Sequence, residues 1–236
     1  MAISISALLN AYSYNDYGTG TYTTSSFTIP NNCILVAHVA ALVADGDTDP
    51  SSSITISDSI GGSWTSRATY GNADSWAVGA RLFTEAFTTG GNATITVWAN
   101  GAYIFVYNVM VVALTGYDTS SPVGGIASNG NLGTSGSQSI TLSSTPASSS
   151  IVVAFMWLDA ESISITESSG WTERYETLQT YLGAHCQSRS GLTSTTVPWS
   201  DISGTSISKV GAAAIEIKGA DEYVAAGNPY YAYAQQ

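Results

Sequence analysis

Basic residues are the scarcest group in this sequence: six Lys and Arg stand against 17 Asp and Glu in 236 residues. Six dispersed cations on a chain of net charge −11 cannot form the positive stripe that holds a phosphate backbone. That disfavours nucleic acid as a ligand, and anionic membrane surfaces for the same reason. Long apolar runs are missing as well. The longest, residues 34–44 and 103–114, are near a dozen residues, well short of the roughly 20 that a membrane helix needs. They read as buried strands. The opening Met1-Ala2-Ile3-Ser4-Ile5-Ser6 lacks a basic region followed by a full apolar stretch, so no secretory leader is expected and the chain is expected in the cytosol until assembly or lysis. Cysteine is nearly absent, and without an export leader Cys33 and Cys186 read as free core thiols rather than a disulfide. No redox or zinc spacing exists.

Catalytic motifs are also lacking. There is no Gly-x-Ser-x-Gly elbow, no His-Glu-x-x-His, no phosphate loop and no dinucleotide glycine pattern. The only imidazoles, His38 and His185, sit inside apolar strand-like stretches and read as structural residues rather than general bases. Glycosidase chemistry needs only two carboxylates, and 17 acids leave many pairs possible, but no pair stands out. The expectation is a non-enzymatic protein.

Against these absences stands a strong β signal. Only 10% of residues are charged while 44% are hydrophobic. The polar surface therefore comes mostly from Ser, Thr, Asn and Gly, and 23 glycines punctuate runs of Val, Ile, Thr, Tyr and Trp. The expected fold is all-β, an antiparallel β-sandwich of jelly-roll-like type with near a dozen strands.

The strand pattern is written twice. Ser26-Phe27-Thr28-Ile29-Pro30 followed by Ile34-Leu35-Val36-Ala37 returns as Ser139-Ile140-Thr141-Leu142, Pro146 and Ile151-Val152-Val153-Ala154. Ile54-Thr55-Ile56-Ser57-Asp58-Ser59 leading to Gly62-Ser63-Trp64-Thr65-Ser66-Arg67 returns as Ile163-Ser164-Ile165-Thr166-Glu167-Ser168 leading to Gly170-Trp171-Thr172-Glu173-Arg174. Gly79-Ala80 matches Gly183-Ala184, and Trp98 matches Trp199, so both tryptophan pairs are expected to pack in the core. Pseudo-repeat halves 21–118 and 137–220 result, joined by a loop-like linker 119–136. They are expected to form one interlocked sandwich, with two separate sandwiches as the alternative.

Outside the repeat lie an N-terminal arm, residues 1–20, and a C-terminal arm, residues 221–236, both rich in tyrosine. Tyrosine offers a large rigid contact area with a polar tip, so Tyr12, Tyr14, Tyr17, Tyr223, Tyr230, Tyr231 and Tyr233 are the candidate interface residues. Asp45, Asp47 and Asp49 alternate in a way that can wrap oxygen ligands around calcium. Pro50 and Ile56 stand where a calcium loop would carry glycine and glutamate, so a solvated acidic turn is the competing reading. Trp76 and Trp157 are the candidates for stacking on a glycan.

Ser26-Phe27-x-Ile29-Pro30, Ile56-Ser57-Asp58-Ser59-x-Gly61-Gly62-Ser63-Trp64-Thr65 and the closing Val111-Val112-Ala113-Leu114-Thr115-Gly116-Tyr117-Asp118 together resemble phage virion β-sandwich modules. The resemblance spans roughly residues 21–219. It implies a jelly-roll-like structural protein, used either for capsid decoration (cement) or in tail fibres and adhesins. The compact size, the lack of a fibrous shaft and the Tyr-rich arms favour decoration. The implied partners are the major capsid protein and copies of the chain itself, as a homotrimer on the capsid exterior. A carbohydrate- or receptor-binding module of a tail fibre or bacterial surface protein is the alternative.

Overall fold

The computed structural model describes residues 3–18, 20–44, 49–72, 76–99, 104–160, 162–179 and 181–220, with side chains for all of these except 15–18, 44, 76 and 162. The described chain is antiparallel β-structure with one 3₁₀ turn, Pro50–Ser53, and no α-helix. The first half contains β1 (Ser4–Gly18), β2 (Thr21–Thr23), β3 (Phe27–Ile29), β4 (Cys33–Ala44), β5 (Thr55–Asp58), β6 (Thr65–Asn72), β7 (Trp76–Phe87), β8 (Gly91–Ala93), β9 (Ile95–Trp98) and β10 (Ile104–Thr115). The second contains β11 (Val123–Asn129), β12 (Gln138–Thr141), β13 (Ile151–Asp159), β14 (Ser162–Glu167), β15 (Thr172–Thr177), β16 (Gly183–Ser190), β17 (Thr196–Thr205) and β18 (Lys209–Ile217).

Each half completes its own sheets. The first has a five-stranded sheet, β1-β10-β4-β7-β6, covered by β2-β9-β5 and the pair β3-β8. The second has β11-β18-β13-β16-β15, covered by β12-β17-β14. Eight strands in the second half match the number in a jelly roll, but they divide five to three because β15 turns back onto β16, as β6 does onto β7. The expected single interlocked sandwich is therefore corrected. Two sandwiches, one per half, stack with their five-stranded sheets face to face, β1 over β15 and β6 over β11.

Three cores result. Leu35, Ala37, Val39, Val109 and Val111 fill the first sandwich, and Val152, Ala154, Met156, Val197 and Trp199 fill the second. Ile34, Val36, Leu42, Val112, Val153, Phe155, Trp157 and Ile215 fill the space between the large sheets. A sheet buried on both faces needs apolar residues at every position, which is why β4, β10, β13 and β18 are continuous apolar runs rather than alternating ones. By register, His38 of the first half corresponds to Phe155 of the second: His38 pairs with Met110 and Leu82, Phe155 with Ala213 and Cys186. These two counterparts stack on each other, ring centroids 5.1 Å apart and 12° between planes. Repeat equivalents meet in this way at a two-fold axis, so the halves associate like a symmetric dimer within one chain.

The bulges repeat too. β6 breaks register between Ser66 and Ala68, and β15 between Glu173 and Tyr175, leaving Arg67 and Arg174 as the extra residues. Each Nε donates to a hydroxyl on the neighbouring strand at 2.7 Å, Arg67 to Thr84 and Arg174 to Ser188. Replacing either arginine by alanine should lower stability by about 1.5–3 kcal/mol, the usual range for a charged hydrogen bond. A denaturant melt that moves by less than 0.5 kcal/mol, on the order expected of a neutral surface change, would contradict that role.

The N-terminal arm and the linker both contribute strands to the fold, and the C-terminal arm, residues 221–236, lies outside the described residues. Residues 4–18 are not an arm but β1, paired with β10 from Ser4 opposite Thr115 to Gly18 opposite Ile104. Inside the supposed linker, β11 pairs with β18 in the same edge position. In β1 a bulge between Ala7 and Leu9 switches which residues face which core. Ile3 and Ile5 before it, and Tyr12 after it, pack on the central core, while Leu9 and Ala11 join the first sandwich. The break in alternation hides the strand in the sequence.

Candidate interaction surface

Where β1 passes the second half, an aromatic cluster forms on the seam. Tyr14 and Tyr181 are 51% and 40% exposed, with Leu178 nearby in sequence at 49%. Beneath them Phe105 is buried, its ring 4.7 Å from that of Tyr14 and 4.9 Å from that of Tyr181, both edge-on. The two tyrosine rings lie 6.2 Å apart at 34°. Tyr12, half-buried beside them, has its hydroxyl pKa pushed up to about 12, first by burial and then by Tyr14 and Tyr181. It stays a neutral hydrogen-bonding group across the physiological range.

Three features fix this surface. The Tyr181 backbone adopts φ 80°, unusual for a bulky side chain, and its N–H donates to the Ala160 carbonyl at 3.0 Å. Thr177 Oγ1 donates to Asn10 Oδ1 at 2.8 Å and accepts from Asn108 Nδ2 at 3.4 Å, tying β15 to β1 and β10. Asn10 Nδ2 also donates to the Glu176 carbonyl at 3.3 Å. The aromatic pair therefore draws residues from both halves and is held in place before any partner arrives.

A second cluster sits at the end of the second sandwich. His185 is fully buried, and its Nε2 lies 3.8 Å from Glu173 Oε2, with Glu167 in the same group. Trp199 Nε1 donates to His185 Nδ1 at 3.4 Å. An indole N–H is only a donor, so that contact leaves the proton of the neutral imidazole on Nε2, directed at the carboxylates. A metal bound through Nε2 would need the proton on Nδ1, against the indole, so the arrangement fits a histidine donor better than a ligand. Burial pushes the His185 pKa down to about 4, with Glu167 acting in the opposite sense. His38, also fully buried, shares a 2.6 Å hydrogen bond with the Tyr70 hydroxyl, and burial pushes its pKa down to about 3. Neither imidazole is accessible as a solvent-facing base.

A cleft of about 390 Å³ lies beside Gly61, Gly62, Glu85, Phe87 and Gly90. Close by, Asp58 accepts from Ile60 N–H, Gly62 N–H and Trp64 Nε1–H, so its carboxylate is committed to the turn. Glu85 at this cleft has its pKa raised, chiefly by burial.

The remaining sequence candidates divide. Trp157 is fully buried between the two large sheets, against Gly211, and cannot stack on a glycan; that expectation is corrected. Trp199 and Trp171 are buried as expected, but Trp98 is 42% exposed and is not a core residue. Asp49 Oδ1 accepts from Ser51 N–H at 2.8 Å and caps the 3₁₀ turn. Cys33 and Cys186 are free and buried in different cores. The Tyr17 and Trp76 side chains, and Tyr223, Tyr230, Tyr231, Tyr233, Asp45 and Asp47, lie outside what the structure describes. Sequence reasoning picked out Tyr12 and Tyr14 but missed Tyr181 and Phe105, which read as ordinary strand residues. No family model and no curated protein sequence matches the chain.

Proposed function

We propose that the protein is a non-enzymatic structural protein of a phage virion, decorating the capsid exterior as a homotrimer. Its role is to bury surface across neighbouring capsid subunits so that opening the shell requires breaking many contacts together. The observation that carries this reading is the exposed Tyr14–Tyr181 pair, pre-positioned on a doubly packed body. Rigid aromatics on a fixed frame are what a binding surface needs, because little freedom is lost on docking. The net charge of −11 keeps free copies mutually repulsive. The virion assignment itself rests on the sequence resemblance.

The test uses native particles stripped of this protein. The double variant Tyr14→Ser with Tyr181→Asn keeps a side chain tolerant of positive φ at the strained position. Two central aromatic anchors at about 2 kcal/mol each correspond to capsid binding weaker by about 10³-fold, with an unchanged melting midpoint. Binding within threefold of the parent, on the order of 0.7 kcal/mol, removes the surface from the docking role. The same exposed pair also suits a sugar ring, and glycan binding lost in the same variant with capsid binding intact would favour the receptor-binding reading.

A further inference from the structure

The turn between β5 and β6 and the turn between β14 and β15 are repeat counterparts, and each passes through a glycine of positive φ, Gly61 at 85° and Gly170 at 82°. Glu85 of β7 pairs with Leu35, and Arg189 of β16 pairs with Val152, so Glu85 and Arg189 hold the same place in the two halves. In the second half the space over the turn is filled. The Arg189 guanidinium lies over Gly170, 3.4 Å from where a Cβ would stand, and its Nη1 donates to the Ser169 carbonyl at 3.5 Å. In the first half a Cβ on Gly61 would meet nothing within 4 Å, and the cleft of about 390 Å³ opens there.

This open space is suited to the group that fills its counterpart. Glu85 and Phe87 line the cleft, and among the described residues no Lys or Arg does. Burial raises the Glu85 pKa, with the Ser63 N–H acting in the opposite sense and Asp58 adding to the rise. A carboxylate partly withdrawn from water beside another acid gains from a cation. Asp58 is held by Ile60, Gly62 and Trp64, which sets the turn before a ligand arrives. A guanidinium is planar and weakly hydrated, forks onto a carboxylate and lies against aromatic rings. The chain's own arginines are committed elsewhere: Arg67 to Thr84, Arg174 to Ser188, Arg81 to Thr69 and the Ile54 carbonyl, and Arg189 to its own turn. The occupant therefore comes from another protein.

We propose that the cleft beside Gly61 and Glu85 receives an arginine side chain of a partner protein, its guanidinium seated where Arg189 sits in the second half. The Glu85 carboxylate accepts its N–H groups, Phe87 forms the apolar wall, and the Ile60 carbonyl is the counterpart of the Ser169 carbonyl. The second half thus carries within the chain the contact that the first half makes with a partner. This inference rests neither on the Tyr14–Tyr181 surface nor on the capsid role, and it stands or fails separately from them.

Nuclear magnetic resonance of the full-length protein tests it, with acetyl-Gly-Arg-Gly-amide added to millimolar concentration. The amides of Gly61, Gly62 and Gly90 should shift together. The Glu85 carboxyl should titrate at lower pH in the presence of the peptide, because a cation beside it favours the ionised form. Glu85→Gln should weaken binding by about tenfold or more, as loss of a charged hydrogen bond does. The same peptide with citrulline in place of arginine keeps the shape without the charge, and should bind the parent protein as weakly. Absence of shifts at those amides, or equal binding of the arginine and citrulline peptides, overturns the proposal. An equal response to acetyl-Gly-Lys-Gly-amide overturns the assignment to a guanidinium.

Discussion

Phe155→Ala is expected to destabilise the whole protein by about 3–5 kcal/mol, the usual cost of removing a buried phenylalanine. Phe155 is fully buried in the core between the large sheets and carries the stack on His38. Truncation leaves a cavity at the pseudo-two-fold axis, where two five-stranded sheets meet and neither side can collapse without disturbing its own sandwich. The loss is therefore shared. Chemical denaturation followed by fluorescence reports on both halves, because Trp64 and Trp98 lie in the first and Trp157, Trp171 and Trp199 in the second. A single transition displaced as a unit is expected. Two transitions, one of them unmoved, would show that the halves are independent domains and that the central core contributes little.

Acid should be the other strong perturbant. His38 and His185 have folded-state pKa values pushed by burial to about 3 and about 4. The unfolded values are about 6.5. Between those limits the unfolded chain binds a proton at each site that the folded chain does not. The histidine contribution is thus fully present above pH 6.5 and is lost as pH falls, by up to about 1.4 kcal/mol per pH unit for each histidine. From pH 6.5 to 5 the combined loss is about 3–4 kcal/mol. Asp159, Glu85 and Glu176 have pKa values raised by burial and act in the opposite sense as they protonate. Urea midpoints measured between pH 7 and 4.5 give the slope. His38→Phe places in the first half the residue that the second half already has at the matching position, and should remove about half of the slope. An unchanged slope would mean that His38 is not the titrating group.

The β class and the two-fold repeat were legible because strand propensity, glycine punctuation and a repeated pattern agreed, whereas the division into two sandwiches was not. Arg67 and Arg174 align in the sequence and do the same work in the structure. β1 and β11 were not legible. A bulge breaks the alternation of β1, and β11 is a glycine-containing edge strand in a stretch that otherwise looks like a loop. Trp157 was misjudged because its setting looked unconstrained; in the fold it stands opposite Gly211, where an added Cβ would lie 2.5 Å from the indole.

The aromatic surface divides in the same way. Tyr12 and Tyr14 were recognisable from composition alone, since tyrosines crowd residues 12–22. Tyr181 lies 167 residues from Tyr14, and nothing local in its sequence marks it or its positive φ. The sequence by itself determined the β class, the twofold repeat and the scarcity of positive charge, because propensity, periodicity and net charge act locally or over the whole chain. Only the tertiary structure decided that the halves stack through their large sheets, that β1 is a strand, and that Tyr14 meets Tyr181. Those outcomes depend on which apolar face finds which partner, and burying the second face of each five-stranded sheet is a long-range choice that short-range patterns do not encode.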